Sequence, residues 1–182
     1  KKYHPASGFE LSECLWTFFG SFSILYVLCF FSSHVPFWNE GGQYSFPLGP
    51  FGALTTLQYS LTDAAPAQPR NVICGSTLSG VIAVSLTHVP ETILPLSFRI
   101  ALATSTSIAL MARLGVSHPP GGAIALVYSM GKHHFGHLFL NLVGCWLAVA
   151  LATIINNLNP NRQYPQYWNF NAILVEQDNR KA

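Results

Sequence analysis

Four apolar stretches, each about 20 residues long, constrain this chain more than any other feature of its sequence. A helix of roughly 20 residues is what crosses a hydrocarbon core of about 30 Å. Only 9% of the residues are charged, whereas a soluble domain carries about 25%. Seven charged residues lie between Cys14 and Pro160, and the other nine crowd into the two ends of the chain. An aqueous globule needs charge over its whole surface, so the sequence predicts an integral membrane protein.

Two further apolar runs are too short to cross a membrane as helices. The four predicted spans cover residues 14–33, 69–89, 92–114 and 135–157, and the short runs cover residues 51–61 and 122–130. As helices, the short runs would measure about 16 and 14 Å. We therefore expect an all-α membrane protein with four transmembrane helices and two short re-entrant or half helices.

The two short runs begin alike and lie at corresponding places in the chain. GPFGA at 49–53 matches PPGGA at 119–123 with an offset of 70 residues. Each run follows one span and precedes another, so the chain divides into two span–short helix–span repeats. Interrupted segments at corresponding places in two halves point to a transport site. If both short helices re-enter, the repeats share one orientation. Arg70, Arg113 and Lys132 then lie on the same face of the membrane as His118, His133 and His134.

Three motifs, in this order, resemble the HPP family of integral membrane proteins: PLGPFGA at 47–53, AQPRNVI at 67–73 and HPPGGA at 118–123. The likeness covers residues 15–158. It implies a four-span protein of a bacterial or plastid membrane, associated with nitrite transport. We divide the chain accordingly into a polar N-terminal tail (1–13), an HPP-like transmembrane domain (14–158) and a polar, aromatic C-terminal tail (159–182).

The candidate binding residues gather at the starts of the short helices and at basic positions. A helix N-terminus exposes unpaired N–H groups and about half a positive charge, which suits an anion. Arg99 lies inside the third predicted span with no acidic residue nearby in sequence, and such an arginine usually faces a cavity or a partner. The predicted substrate-binding residues are His118, Pro119, Pro120, Gly121, Gly122, Gly52, Ala53, Arg70, Asn71 and Arg99.

Each of these features also has a purely structural interpretation. The short helices could plug the bundle, with glycines for close packing, and Arg99 could extend to the nearer interface. The histidines at 133, 134 and 137 have no cysteine or carboxylate nearby, and the four cysteines are scattered, so we expect neither metal nor cofactor. No nucleophile–base pairing indicates an enzyme. The net charge of +2 does not indicate a nucleic-acid partner.

Two functions from different classes fit this pattern. The first is a transporter or channel for a small inorganic anion such as nitrite, acting as a homo-oligomer. The second is a non-transporting subunit of a larger membrane complex, docked through a C-terminal tail that has nothing of its own to pack on and that carries an apolar AILVE stretch at 172–176. For both we expect lipid contacts and an organelle inner membrane, plastid or mitochondrial. Lysines and arginines divide three against three between the two faces, which leaves the orientation open.

Overall fold

The computed structural model describes residues 11–34, 48–131 and 133–168, and in these ranges the chain is helical and contains no strand. The helices are α1 (Leu11–His34), α2 (Leu48–Ser60), α3 (Pro69–Thr87), α4 (Leu96–Arg113), α5 (Pro119–Tyr128) and α6 (Phe135–Asn157), with a 3-10 turn at Ala65–Ala67. The predicted all-α class is confirmed, and all six predicted segments are helices.

Prolines set the boundaries at which the helices differ most from the prediction. α2 and α5 each begin three residues earlier than expected, so that their prolines fall within the first turn. Proline fits there because the first turn of a helix has no intrahelical partner for its N–H groups. α4 begins at Leu96 and not at 92, since Pro95 precedes it and the chain from Pro90 closes a turn through the Leu94 N–H, 2.9 Å from the Pro90 carbonyl oxygen.

By length and composition, α1 and α6 are the two helices in the described ranges that could cross a membrane. α3 and α4 are less apolar, so this measure supports two of the four predicted spans. α3 is packed against α4, α5 and α6. Its serine and asparagine side chains at 71, 76 and 79 are buried in protein, and a helix surrounded in this way needs no apolar surface of its own.

The apolar core forms two clusters. One joins α1, α2, α6 and the start of α3 around Leu54 and Val149. The other joins α3, α4, α5 and α6 around Ile124 and Leu138. The first cluster also holds Tyr164, which follows α6.

Residues 159–168 fold back against the bundle. Tyr164 is fully buried, and its hydroxyl donates to the Ala67 carbonyl oxygen at 2.7 Å. The expectation that the C-terminal tail has nothing to pack on is therefore wrong for this part, because the bundle offers Tyr164 both apolar contacts and an acceptor. The AILVE stretch lies outside the described residues.

One end of the bundle is formed by the start of α1 and the ends of α2 and α6. The Thr17 hydroxyl donates to the Tyr59 carbonyl oxygen at 3.1 Å, and the Asn156 side chain donates to the Gln58 carbonyl oxygen at 3.1 Å. Arg162 lies at the same place, with its guanidinium 3.1 Å from the Tyr59 carbonyl oxygen. We call this the arginine end. α1 starts here, whereas α2 and α6 stop here.

The other end, which we call the histidine end, is formed by the end of α3 and the start of α6. His88 stacks on Phe135 with ring centroids 5.9 Å apart, and the Tyr128 hydroxyl donates to the His137 carbonyl oxygen at 3.0 Å. Tyr128 is the last residue of α5. α5 therefore begins beside Gly75, partway along α3, and ends at the histidine end.

These contacts show that successive helices alternate in direction and that the second repeat is inverted relative to the first. The repeat α1–α2–α3 begins at the arginine end, and the repeat α4–α5–α6 begins at the histidine end. The prediction that the short helices re-enter and that the two repeats share one orientation is wrong. Each repeat contains three helices that alternate in direction, so the second repeat starts at the opposite end of the bundle from the first. His133 and His134 accordingly lie at the opposite end from Arg70 and Arg113.

An arginine closes the C-terminal end of each short helix. Arg162 donates to the Tyr59 carbonyl oxygen at the end of α2, and Arg99 donates to the Ser129 carbonyl oxygen after α5 at 2.9 Å. Tyr59 and Ser129 are 70 residues apart, the offset of the sequence repeat. A cation is favourable there because the last carbonyls of a helix lack intrahelical partners and carry partial negative charge.

Candidate functional site

The N-terminal ends of α2 and α5 meet in the middle of the bundle at a small void. The void has no room for a water molecule. Its lining residues come from five parts of the chain: Pro50, Phe51, Leu54, Ser76, His118, Pro120, Ile124 and Cys145. Because α2 and α5 run in opposite directions, the positive ends of both helix dipoles point toward this void.

The first turn of α5 offers few backbone donors to this void. Pro119 and Pro120 have no N–H. The Gly121 N–H donates to the His118 carbonyl oxygen at 2.8 Å. The first three residues of α5 therefore present the positive field of a helix N-terminus, but none of them has a free N–H for an anion.

His118 is the polar side chain at the centre of this arrangement. It is 1% exposed, and its Nδ1 lies 2.8 Å from the Pro66 carbonyl oxygen. A carbonyl only accepts, so Nδ1 carries the proton, and Nε2 of the neutral ring presents a lone pair. Nε2 is buried and has no hydrogen-bond partner among the described residues.

α3 holds the segment before α5 in place. Asn71 donates from Nδ2 to the Ser117 carbonyl oxygen at 3.1 Å. A Cβ on Gly75 would lie 2.6 Å from the Cβ of His118 and 3.1 Å from the Val116 carbonyl oxygen. Glycine at 75 is therefore what lets residues 116–118 lie directly against α3.

A larger cavity opens on the outside of the bundle between α4 and α5. It has a volume of about 450 Å³ and is mostly apolar. Its lining residues are Thr104, Ile108, Met111, Ala112, Ser117, His118, Pro119, Gly122, Ala123 and Leu126. We call it the outer groove. His118 borders both the outer groove and the void, so a path between the two passes its imidazole ring.

The structure brings six of the ten predicted binding residues to the void, to the outer groove or to the wall between them. His118 and Pro120 line the void, Pro119 and Gly122 line the outer groove, and Asn71 holds the chain beside His118. Gly121 is buried against α3, where a Cβ would lie 3.0 Å from the carbonyl oxygen of Gly75.

The other four predicted residues lie elsewhere. Gly52 has no neighbour within 4 Å of where its Cβ would be, and Ala53 is exposed, so neither faces the void. Arg70 is 8% exposed and donates to the Leu114 carbonyl oxygen at 3.5 Å, on the arginine-end side of His118. Arg99 lies at the far end of α5, a helix about 15 Å long.

Arg99 is paired with an acidic residue. Its Nη2 lies 3.2 Å from Glu91 Oε1, and its Nε donates to the Ser129 carbonyl oxygen. The expectation of no nearby acidic residue is wrong, because the turn that begins at Pro90 carries Glu91 back beside the first turn of α4. Neither the void nor the outer groove is lined by Arg99.

Sequence reasoning did not identify Cys145 or Pro66 as parts of the site. Cys145 Sγ lies 3.7 Å from Ser76 Oγ across the void. The repeat offset could have indicated this region, since Asn71 and Asn141 are 70 residues apart and occupy α3 and α6. The Oδ1 atoms of both asparagines are buried without a hydrogen-bond partner in the described parts of the chain.

Comparison with known proteins places these observations in a family. Residues 6–165 match the transmembrane region of the HPP family. The chain is 33% identical over 168 residues to a transmembrane protein of Dictyostelium discoideum, a match that covers 87% of this chain and 57% of that protein. A second transmembrane protein of the same organism is 32% identical over 168 residues, covering 87% and 52%. The chain thus spans about half the length of these relatives. No solved structure matches it.

Proposed function

The chain belongs to the HPP transmembrane family and is an integral membrane protein, and from this premise we propose that it transports a small inorganic anion. Nitrite is the first substrate to test, on the resemblance of its motifs to the family. The observation that carries the proposal is the convergence of two oppositely directed short helices on one buried void beside His118. Two positive helix ends favour negative charge there.

The proposed path crosses the bundle through the broken elements. Four long helices would span the membrane, and α5 would complete a crossing that begins as the non-helical chain at 114–118. Non-helical backbone at membrane depth is tolerated where protein or a water-filled cavity surrounds it. Inverted repeats with discontinuous helices at the midplane are typical of transporters. The inverted arrangement of the repeats α1–α3 and α4–α6 therefore supports the proposal of transport.

The described conformation is closed at the void. The outer groove reaches His118 from one side, and the void beyond it is too narrow for water. Transport therefore requires residues 114–118, which carry His118, to move away from α3. The close contact at Gly75 and the Asn71–Ser117 hydrogen bond are the interactions that this movement would break.

The proposal is tested by nitrite flux into liposomes that contain the purified chain. We expect flux in the wild type and loss of flux in His118→Ala, with unchanged insertion. His88→Ala is the matched control, because His88 is exposed, lies at the histidine end and lines neither the void nor the outer groove. Unchanged flux in His118→Ala would refute the site, and a folded wild type without flux would refute transport.

The surroundings of the protein are also proposed. The exposed rings of Phe18, Phe22 and Tyr26 stack along α1 with centroids 5.9 and 5.8 Å apart. This face suits lipid or another copy of the chain, and we place the protein in an organelle inner membrane. The alternative, a non-transporting subunit docked through its C-terminal tail, predicts recovery with foreign subunits in fixed ratio and no flux. The packing of Tyr164 leaves less of that tail available for docking.

A further inference from the structure

We propose that the site takes up one proton with each anion, and that His118 Nε2 holds this proton. The inference rests on the proposed anion transport and adds the ion to which that transport is coupled. It starts from an unpartnered nitrogen on a side chain that is 1% exposed and borders both the void and the outer groove.

The ring of His118 is fixed in the orientation that presents an acceptor. Nδ1 is held by the Pro66 carbonyl oxygen, which can only accept. Moving the proton of the neutral ring from Nδ1 to Nε2 would break that bond and leave a buried carbonyl unpaired, which is unfavourable. Nε2 can therefore donate to an anion only after it has gained a proton.

In the described parts of the chain, no acidic side chain lines the void or the outer groove beside His118. From the elements around it, His118 faces Pro66 of the 3-10 turn, Gly75 and Ser76 of α3, and Cys145 of α6. The α2 side contributes apolar residues to the void. Among the described residues that line the two cavities, the only other titratable group is Cys145, and none is a carboxylate. The nearest basic side chain on α3, Arg70, donates to the Leu114 carbonyl oxygen.

These surroundings make the proton and the anion bind together. A bare anion would meet the lone pair of Nε2, and a protonated imidazole alone would be a buried charge without a partner. Together they form a charge-assisted hydrogen bond and a net neutral pair. Each ligand then raises the affinity for the other by the same factor, which is the thermodynamic form of coupling.

The transport step balances as movement of the acid HX. On entry, a proton from solution forms a bond to Nε2, and the anion accepts a hydrogen bond from that N–H. On exit, the N–H bond breaks and the proton leaves on the same side as the anion. Nothing is oxidised or reduced, and His118 returns to its neutral form with the remaining proton on Nδ1.

The experiment measures anion flux, internal pH and the effect of membrane potential in the same proteoliposomes. Nitrite and nitrate are the two probes. Nitrous acid leaks through lipid as the neutral molecule, whereas nitric acid is so strong that its neutral form is not populated and cannot leak. Protein-free liposomes give the leak to subtract. We expect one proton per anion, flux driven by a pH gradient, and no response to a potassium–valinomycin potential.

His118→Asn is the informative variant, since its amide can still donate to the Pro66 carbonyl oxygen but has no nitrogen that titrates. We expect it to lose at least tenfold in proton movement, and His88→Asn to retain it. Proton movement that survives in His118→Asn overturns the inference. If that variant does not fold, the wild-type ratio of protons to anions still decides whether transport is coupled to protons.

The two proposals fail in different ways. Wild-type flux that follows the membrane potential without proton movement overturns proton coupling and leaves anion transport intact. A folded wild type that moves neither nitrite nor nitrate overturns anion transport, and proton coupling with it.

Discussion

Replacing Arg99 by methionine separates its structural role at the end of α5 from a role in binding substrate. Arg99 is 3% exposed, and it donates to the Ser129 carbonyl oxygen at 2.9 Å. A hydrogen bond from a charged donor is worth about 1.5–3 kcal/mol. The favourable position of a cation at a helix C-terminus adds about 0.3–1 kcal/mol. We expect Arg99→Met to lower the free energy of unfolding by about 2–4 kcal/mol.

Glu91→Gln provides the matched control for the ion pair. Glu91 is 66% exposed, and an ion pair with one such partner contributes about 0–1 kcal/mol. Arg99 keeps its bond to Ser129 in this variant, so we expect little loss of stability. Removing the carboxylate and removing the guanidinium should therefore have clearly different effects.

The assay is reversible unfolding in mixed micelles, followed by tryptophan fluorescence, with nitrite flux measured on the same preparations. We expect the flux of Arg99→Met to fall only in proportion to the folded fraction, because Arg99 lines neither cavity. Equal losses of stability in the two variants would refute the capping argument. Full stability with abolished flux would restore Arg99 as a substrate ligand.

Three further predictions concern other positions. Gly75→Ala places a methyl 2.6 Å from the His118 Cβ. The overpacking costs about 1–3 kcal/mol, and the higher helix propensity of alanine offsets about 1 kcal/mol of this, so we expect lower stability and lower flux. Gly136→Ala is the control: its Cβ would have nothing within 4 Å, and it should reduce neither stability nor flux. Tyr164→Phe should cost about 1–3 kcal/mol, because the hydroxyl donates to the Ala67 carbonyl oxygen and accepts from the buried Gln58 side chain. Limited proteolysis should then cut sooner after α6. Burial, and then the two neighbouring histidines, hold the pKa of His133 below its ordinary value of 6.5. The neutral form is therefore favoured in the fold, and the free energy of unfolding should fall as the pH drops below 6.5. His133→Asn should flatten that pH dependence in unfolding measurements.

The sequence was sufficient to predict the helical class and the division into repeats. α6 has the predicted bounds, and the offset that matches Pro50 with Pro120 also matches the two capped carbonyls of Tyr59 and Ser129. These features are local, since apolar run length and proline position act within one helix. They do not depend on what packs beside it.

The direction of the short helices could not be predicted in the same way. A 10-residue helix is about 15 Å long, which is too short to cross a membrane by itself. Residues 114 and 115 turn at the end of α4, and the three residues 116–118 can add up to about 10 Å, so together with α5 they cover most of a hydrocarbon core of about 30 Å. Apolar periodicity is the same in both directions, and only tertiary contacts such as Arg99 with Ser129 distinguish a crossing from a return.

Only part of the candidate site could be predicted from the sequence, for a related reason. Two prolines after His118 predicted the break in the helix. The acceptor for its Nδ1 is 52 residues away at Pro66, and Ser76 and Cys145 meet across the void from different repeats. Such pairings come from the packing of α3 between α5 and α6, and sequence spacing carries no trace of them.

The ion pair between Glu13 and Arg162 fixes the topology of any longer protein built on this segment. The two side chains lie 2.6 Å apart, one in the first turn of α1 and the other just after α6. The chain thus enters and leaves the bundle at the same end. Polypeptide that continues from both ends of the bundle in a longer protein would emerge in the same aqueous compartment, and domains attached there could contact each other without crossing the bilayer.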